Sequence, residues 1–81
     1  MENKNEHQTR DFYITAYLLT KGNKLTKINR DNPQQVYFVF EKTEDTEKLV
    51  EDFLFGRASV NPKDFISAIK EVKQLIHTKY D

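Results

Sequence analysis

Eighty-one residues carry thirteen basic and thirteen acidic side chains, a formal net charge of zero, and no cysteine. That length allows one domain and no more. The absent thiols exclude disulfides and thiolate metal centres, and the balanced charge argues against a polybasic coat protein or an acidic tail. No apolar run approaches the roughly 20 residues that span a bilayer.

The first segment, MENKNEHQ, has no large apolar residue except Met1. It is expected to be a disordered polar tail over residues 1–8, with a single small domain over 9–81. Its polarity excludes a signal peptide, and the chain is expected to be cytoplasmic. DFYITAYLLTK, residues 11–21, predicts a helix: Asp11 caps its start, and Gly22 stands where a left-handed residue closes it. Apolar side chains cover most of its circumference, whereas a helix lying on one surface needs a single stripe. Either the helix is central, with elements on two sides, or one face meets a partner. Tyr13, Ile14, Tyr17 and Leu18 are the surplus, and hence the candidate interaction surface.

KLTKINRD and QVYFVFE predict an antiparallel hairpin joined through Asp31, Asn32 and Pro33. In the second strand Val36, Phe38 and Phe40 face one way and Tyr37 and Val39 the other. Leu25 and Ile28 have opposite parity, which predicts a bulge in the first strand. A second helix is expected over about residues 44–55, capped by Thr43 and ended by Gly56, with a stripe of Leu49, Val50, Phe53 and Leu54. Asn61-Pro62-Lys63-Asp64 opens a third: Asn61 at the cap, Pro62 at the first position, Asp64 at the positive end of the dipole. Phe65, Ile69, Val72 and Ile76 form its stripe, widened by Ile66 and Leu75.

The expected architecture is therefore α+β in the order α-β-β-α-α, a two-stranded antiparallel hairpin packed with three helices. Its expected core is Phe12, Ala16, Leu19, Val36, Phe38, Phe40, Leu49, Phe53, Phe65, Ile69, Val72 and Ile76. Ten aromatic residues let so small a core close without staples.

Glu41, Glu44, Asp45, Glu47, Glu51 and Asp52 form the densest acidic stretch. Carboxylates near a helix start are stabilised there, and Glu44 and Lys48 have the favourable i,i+4 order, so the stretch reads as a solvated face. A calcium loop needs a glycine turn, and none lies between Gly22 and Gly56. His7 and His77, seventy positions apart, make no zinc set. Ser59 and Ser67 lie in no nucleophile elbow, and two glycines cannot build a phosphate cradle. No catalytic constellation assembles, so the expectation is a non-enzyme with no cofactor, no metal and no small-molecule substrate.

Charge is nevertheless segregated. Lys21, Lys24, Lys27 and Arg30 sit in a ten-residue stretch without an acid, while residues 41–52 carry six acids against Lys42 and Lys48. Basic side chains on a hairpin, with Tyr17 and Tyr37 near, are ingredients of a single-strand nucleic-acid platform. Lysine on an edge strand also guards against aggregation. Lys70 and Lys73 beside Glu71 read as an ordinary solvated back face.

Two stretches, TRDFYITAYLLTKGNKL and VYFVFEKTEDTEKLVEDFLFGRASVNPKDFISAIKEVKQLI, carry a resemblance. Thr9 to Asp11, Ala16 to Leu19, Gly22, the Phe38-Val39-Phe40 strand, Val60-Asn61-Pro62 and Lys73 to Ile76 come in the order and spacing of a known family. The chain resembles a small bacterial and phage-borne family known as a domain of unknown function (five-six-five-nine). Val72 departs from that pattern, which favours leucine, and is a packing exchange. The resemblance implies an accessory or regulatory role and brings no activity or site residues. The functional expectation is an interaction module working through protein contacts, a homodimer being one form of it. The alternative is a nucleic-acid accessory protein using the basic hairpin.

Overall fold

The computed structural model describes residues 5–77. Six elements follow in chain order: β1 (Glu6–Thr9), α1 (Phe12–Thr20), β2 (Leu25–Asn32), β3 (Gln35–Glu41), α2 (Thr46–Leu54) and α3 (Pro62–His77). The class is α+β, with three helices and an antiparallel sheet. The sheet has three strands rather than two, and the order is β-α-β-β-α-α. Strand order is β1-β3-β2, so the apolar β3 is central and α1 carries the chain from one edge to the other.

The added strand overturns the expectation of a disordered tail reaching residue 8. His7 stands opposite Phe40, Gln8 opposite Val39 and Thr9 opposite Phe38. Backbone pairing needs no apolar side chain, so a polar EHQT segment can satisfy the second edge of β3 as well as a greasy one. Residues 1–4 lie outside the described residues.

The local signals explain most boundaries. Asp11 Oδ1 accepts from the Tyr13 and Ile14 amides, each at 2.8 Å, and fixes the start of α1. Gly22 (φ +85°) and Gly56 (φ +77°) adopt the left-handed conformation that ends α1 and α2. Asn61 Oδ1 accepts from Lys63 and Asp64 at the start of α3. Asn32 Oδ1 accepts from the Gln34 amide at 2.9 Å and tightens the hairpin turn at Pro33. The bulge expected in β2 is the register shift between Leu25 and Lys27.

Helix α2 starts later than expected. Its cap position is Asp45, whose side chain makes no capping bond. Thr46 is fully buried instead: its hydroxyl accepts from the Thr43 amide at 2.9 Å and reaches Asn23 Oδ1 at 3.2 Å. Asn23 Nδ2 in turn donates to the Leu18 carbonyl at 3.3 Å. A buried polar clasp thus ties the end of α1 to the start of α2, and each hydroxyl or amide group is partnered as burial demands.

Helix α1 is the hub. It packs against α3 on one side and α2 on another, and Phe12 meets Phe38 of the sheet edge-on, with ring centroids 6.4 Å apart. The innermost cluster is Ile14, Ala16, Leu18, Phe38, Phe40, Ala68 and Val72. Phe12, Leu19, Leu49, Phe53, Phe65, Ile69 and Ile76 pack around it half-buried. Val36, expected in the core, lies outside this cluster near the hairpin turn. Thr15, at the centre of α1, satisfies its hydroxyl on the Asp11 carbonyl at 2.8 Å.

Candidate interaction surface

The surface expected on α1 is mostly not a surface. Ile14, Tyr17 and Leu18 are 6%, 2% and 0% exposed, and only Tyr13, at 54%, remains open. Elements on two sides of α1 account for its all-round apolarity: Tyr17 packs on Phe53 of α2, centroids 5.4 Å apart, and α3 covers the other flank. Of the two readings of this helix, the central one is the one that holds.

The basic set is likewise dispersed. Arg30 is half-buried and donates Nη1 to the Ile76 carbonyl at 3.0 Å and Nη2 to the Leu75 carbonyl. It is a cap for the negative end of α3 supplied from the neighbouring strand. Lys21 lies over the Tyr17 ring, 5.6 Å from its centroid. Lys24 and Lys27 are exposed, Lys27 opposite Val39 on β3. Tyr17 is buried, whereas Tyr37 is half-buried with the Arg10 guanidinium 6.0 Å from its centroid. Of the four cations Arg30 is engaged with the end of α3 and Lys21 with the Tyr17 ring, and Lys24 and Lys27 are exposed.

The acidic stretch runs along α2 and the loop before it. Lys42 holds Glu47 at 2.9 Å. Asp52 is gripped from two sides, by Lys48 at 3.1 Å and Arg57 at 3.2 Å. Hydrogen bonding from Lys42 and Lys48 respectively keeps the Glu47 and Asp52 carboxyls below the ordinary carboxylate range. The i,i+4 partner of Lys48 is Asp52 rather than Glu44. Among the described residues Glu44, Asp45 and Glu51 form no ion pair and are exposed. Three or more histidine, aspartate or glutamate side chains nowhere converge to hold a metal ion among those residues. His7 faces this region, its pKa lowered first by burial and then by Lys42. No helix among the described residues is long and apolar enough to cross a membrane.

The apolar surplus lies elsewhere. Leu54, Phe55 and Ile66 are 62%, 68% and 53% exposed. They flank in sequence the Phe53–Phe65 ring pair that joins α2 to α3, centroids 6.4 Å apart. Arg57 lies over the Phe55 ring at 5.5 Å. The sequence reading placed Leu54 and Ile66 in buried stripes and passed over Phe55. The periodicity does not separate them: at about 100° per residue Leu54 lies about 40° from the half-buried Val50, and Ile66 about 60° from the half-buried Ile69.

The chain is thus a small α+β domain with an aromatic core and exposed apolar residues at the end of α2 and in the first turns of α3. Over residues 4–78 it matches the model of the family described as a domain of unknown function, DUF5659, and it belongs to that family. No curated protein and no solved structure matches it.

Proposed function

We propose that the chain is a small, non-enzymatic accessory or regulatory module that acts in the cytoplasm by docking a protein partner at the α2–α3 corner. The observation behind this reading is the exposure of Leu54, Phe55 and Ile66 around the Phe53–Phe65 pair. Single exposed apolar residues are ordinary, but Leu54 and Phe55 are consecutive and follow Phe53, whose ring meets Tyr17 and Phe65, and exposed apolar residues that gather mark interaction sites. Phenylalanine under an arginine is also the kind of composition enriched where interfaces concentrate their energy. A bacterial or phage-borne accessory protein, as the resemblance implies, would have this economy of means.

The test uses a photo-crosslinking residue at position 55, compared with one at position 70 on the solvated back face of α3. In extract from the native host, position 55 should trap a discrete protein and position 70 should not. Trapping should be lost in the Leu54→Ser variant. Equal labelling from both positions contradicts the reading. Trapping of a second copy of the chain assigns the corner to a homodimer. A salt-dependent shift of labelled single-stranded RNA or DNA, abolished by Lys24→Glu and Lys27→Glu, would transfer the function to the alternative nucleic-acid reading.

A further inference from the structure

Strand β1 pairs on one side only, and the hydrogen bonds show which of its groups face the other. The Lys42 amide donates to the Asn5 carbonyl at 2.8 Å, while the Glu41 amide turns the opposite way, to the Lys24 carbonyl just before β2, at 2.9 Å. Antiparallel neighbours alternate between bonded and non-bonded pairs. In the β1–β3 register His7–Phe40 and Thr9–Phe38 are therefore bonded pairs, like Asn5–Lys42, whereas Glu6–Glu41 and Gln8–Val39 are not. The backbone amides and carbonyls of Glu6 and Gln8 point away from β3, along an edge that no strand covers among the described residues. The backbone is still extended at Asp11 (φ −77°, ψ 123°), which carries the alternation on to Arg10. The two edges of the sheet are guarded unequally. Strand β2 bears Lys27, with Lys24 just before it, and two register shifts, all devices against edge pairing. Strand β1 pairs with β3 without a shift and contains no lysine and no proline. Its brevity and the charge of Glu6 are its guards.

From this geometry we infer that the β1 edge takes a second copy of the chain. Two β1 strands pair antiparallel through Glu6, Gln8 and Arg10, about a two-fold axis at Gln8, and join two three-stranded sheets into one. The register follows from the chemistry. Centred on Gln8, each Gln8 exchanges amide and carbonyl bonds with its copy, and Glu6 stands opposite Arg10 of the second copy on both sides of the axis. All the outward-facing residues are then used, and the guarding charge of Glu6 is neutralised. Centred on Glu6, the pairing would set that carboxylate against its own copy. Centred on His7, it would leave Arg10 out. Side chains alternate across a sheet, so Glu6, Gln8 and Arg10 share the face that bears Val39 and Tyr37, away from the core residues Phe38 and Phe40. The Arg10 guanidinium is exposed on that face, 6.0 Å from the Tyr37 centroid. This edge is a different surface from the α2–α3 corner, and the inference does not rest on docking there.

Analytical ultracentrifugation of the full chain from about 10 µM to about 1 mM spans the weak affinities that so short an edge gives. A monomer–dimer equilibrium is expected. Gln8→Pro removes an outward amide and no bond to β3, a change that edge strands tolerate. It should abolish the dimer and leave the circular dichroism of the monomer intact. Glu6→Arg alone and Arg10→Glu alone should each weaken dimerisation several-fold, and the two together should restore it, because the charge pair is exchanged rather than lost. Amide hydrogen exchange of the unaltered chain gives a second readout, which decides even where Gln8→Pro unfolds the protein. The Glu6 and Gln8 amides should exchange fast in dilute solution and slowly in concentrated solution, while those of His7 and Thr9 stay protected in both. A chain that remains monomeric at the highest concentration overturns the inference. So does a dimer indifferent to both charge reversals, or one that the double exchange fails to restore. A dimer broken by Leu54→Ser instead assigns self-association to the end of α2 and overturns the β1 edge.

Discussion

Arg30 decides between a functional and a structural account of the basic hairpin. Arg30→Met keeps most of the aliphatic stem and removes the guanidinium that bonds the Leu75 and Ile76 carbonyls. Hydrogen bonds to a charged group contribute about 1.5–3 kcal/mol each. A cation at a helix C-terminus adds about 0.3–1 kcal/mol. Together these come to roughly 3–7 kcal/mol; the carbonyls end a helix and can be partly rehydrated, which reduces the sum to a loss of about 2–3 kcal/mol. A domain of this size has roughly 4–12 kcal/mol in total at 0.05–0.15 kcal/mol per residue. At roughly 4–8 °C per kcal/mol, the melting temperature should fall by about 10–20 °C. Lys27→Met on the same strand, exposed and without such a bond, should stay within about 0.5 kcal/mol. Urea denaturation followed by far-ultraviolet circular dichroism gives both values. If Arg30→Met costs no more than Lys27→Met, the capping role is wrong, and Arg30 returns to the pool of cations available for a ligand.

Other expectations are tied to other parts of the molecule. Asn23→Ala leaves the buried Thr46 hydroxyl short of a partner, while the Leu18 carbonyl keeps the Lys21 and residue-23 backbone amides; chemical denaturation should report a loss of about 1–3 kcal/mol. Phe38→Ala, at the centre of the sheet, should cost about 3–5 kcal/mol and leave the chain barely folded at room temperature, whereas Ile66→Ser should change stability by less than about 1 kcal/mol. His7 is held neutral by burial and by Lys42, so its folded pKa lies below its unfolded value near 6.5. The unfolded chain then binds the extra proton. Stability is full above that unfolded value and declines as pH falls through the folded one. Denaturation midpoints measured between pH 7 and pH 5 should fall, and His7→Gln should flatten the slope over the upper part of that range. A His7 imidazole titrating by NMR at or above its ordinary value would contradict this.

Much of the fold was legible because its signals are local. Asp11, Gly22, Asn61-Pro62 and Gly56 mark helix ends through their own local chemistry, and the apolar run Val36 to Phe40 marks a central strand whose Phe38, Val39 and Phe40 are all buried. Strand β1 was not legible: Glu6, His7, Gln8 and Thr9 carry no pattern, and their pairing is decided by the vacant edge of β3, far along the chain. The surplus on α1 was visible but its meaning was not, since a central helix and a docking helix write the same sequence. Arg30 looked like surface charge because nothing near it in sequence reveals the end of α3, forty-five positions on at Leu75. Leu54 and Ile66 were not legible either: each sits within about 60° of a half-buried residue, Val50 or Ile69, and their exposure is decided by where the neighbouring elements stop.

The enclosure of α1 and the openness of the α2–α3 corner form a single claim about which hydrocarbon reaches solvent. Hydroxyl-radical footprinting of the free protein, read by mass spectrometry residue by residue, measures it directly. Phe55, Leu54 and Tyr13 should oxidise fast, while Tyr17, Leu18 and Phe38 stay protected until the chain unfolds. Tyr17 reacting as readily as Tyr13, with Phe55 shielded, would contradict both halves of the account.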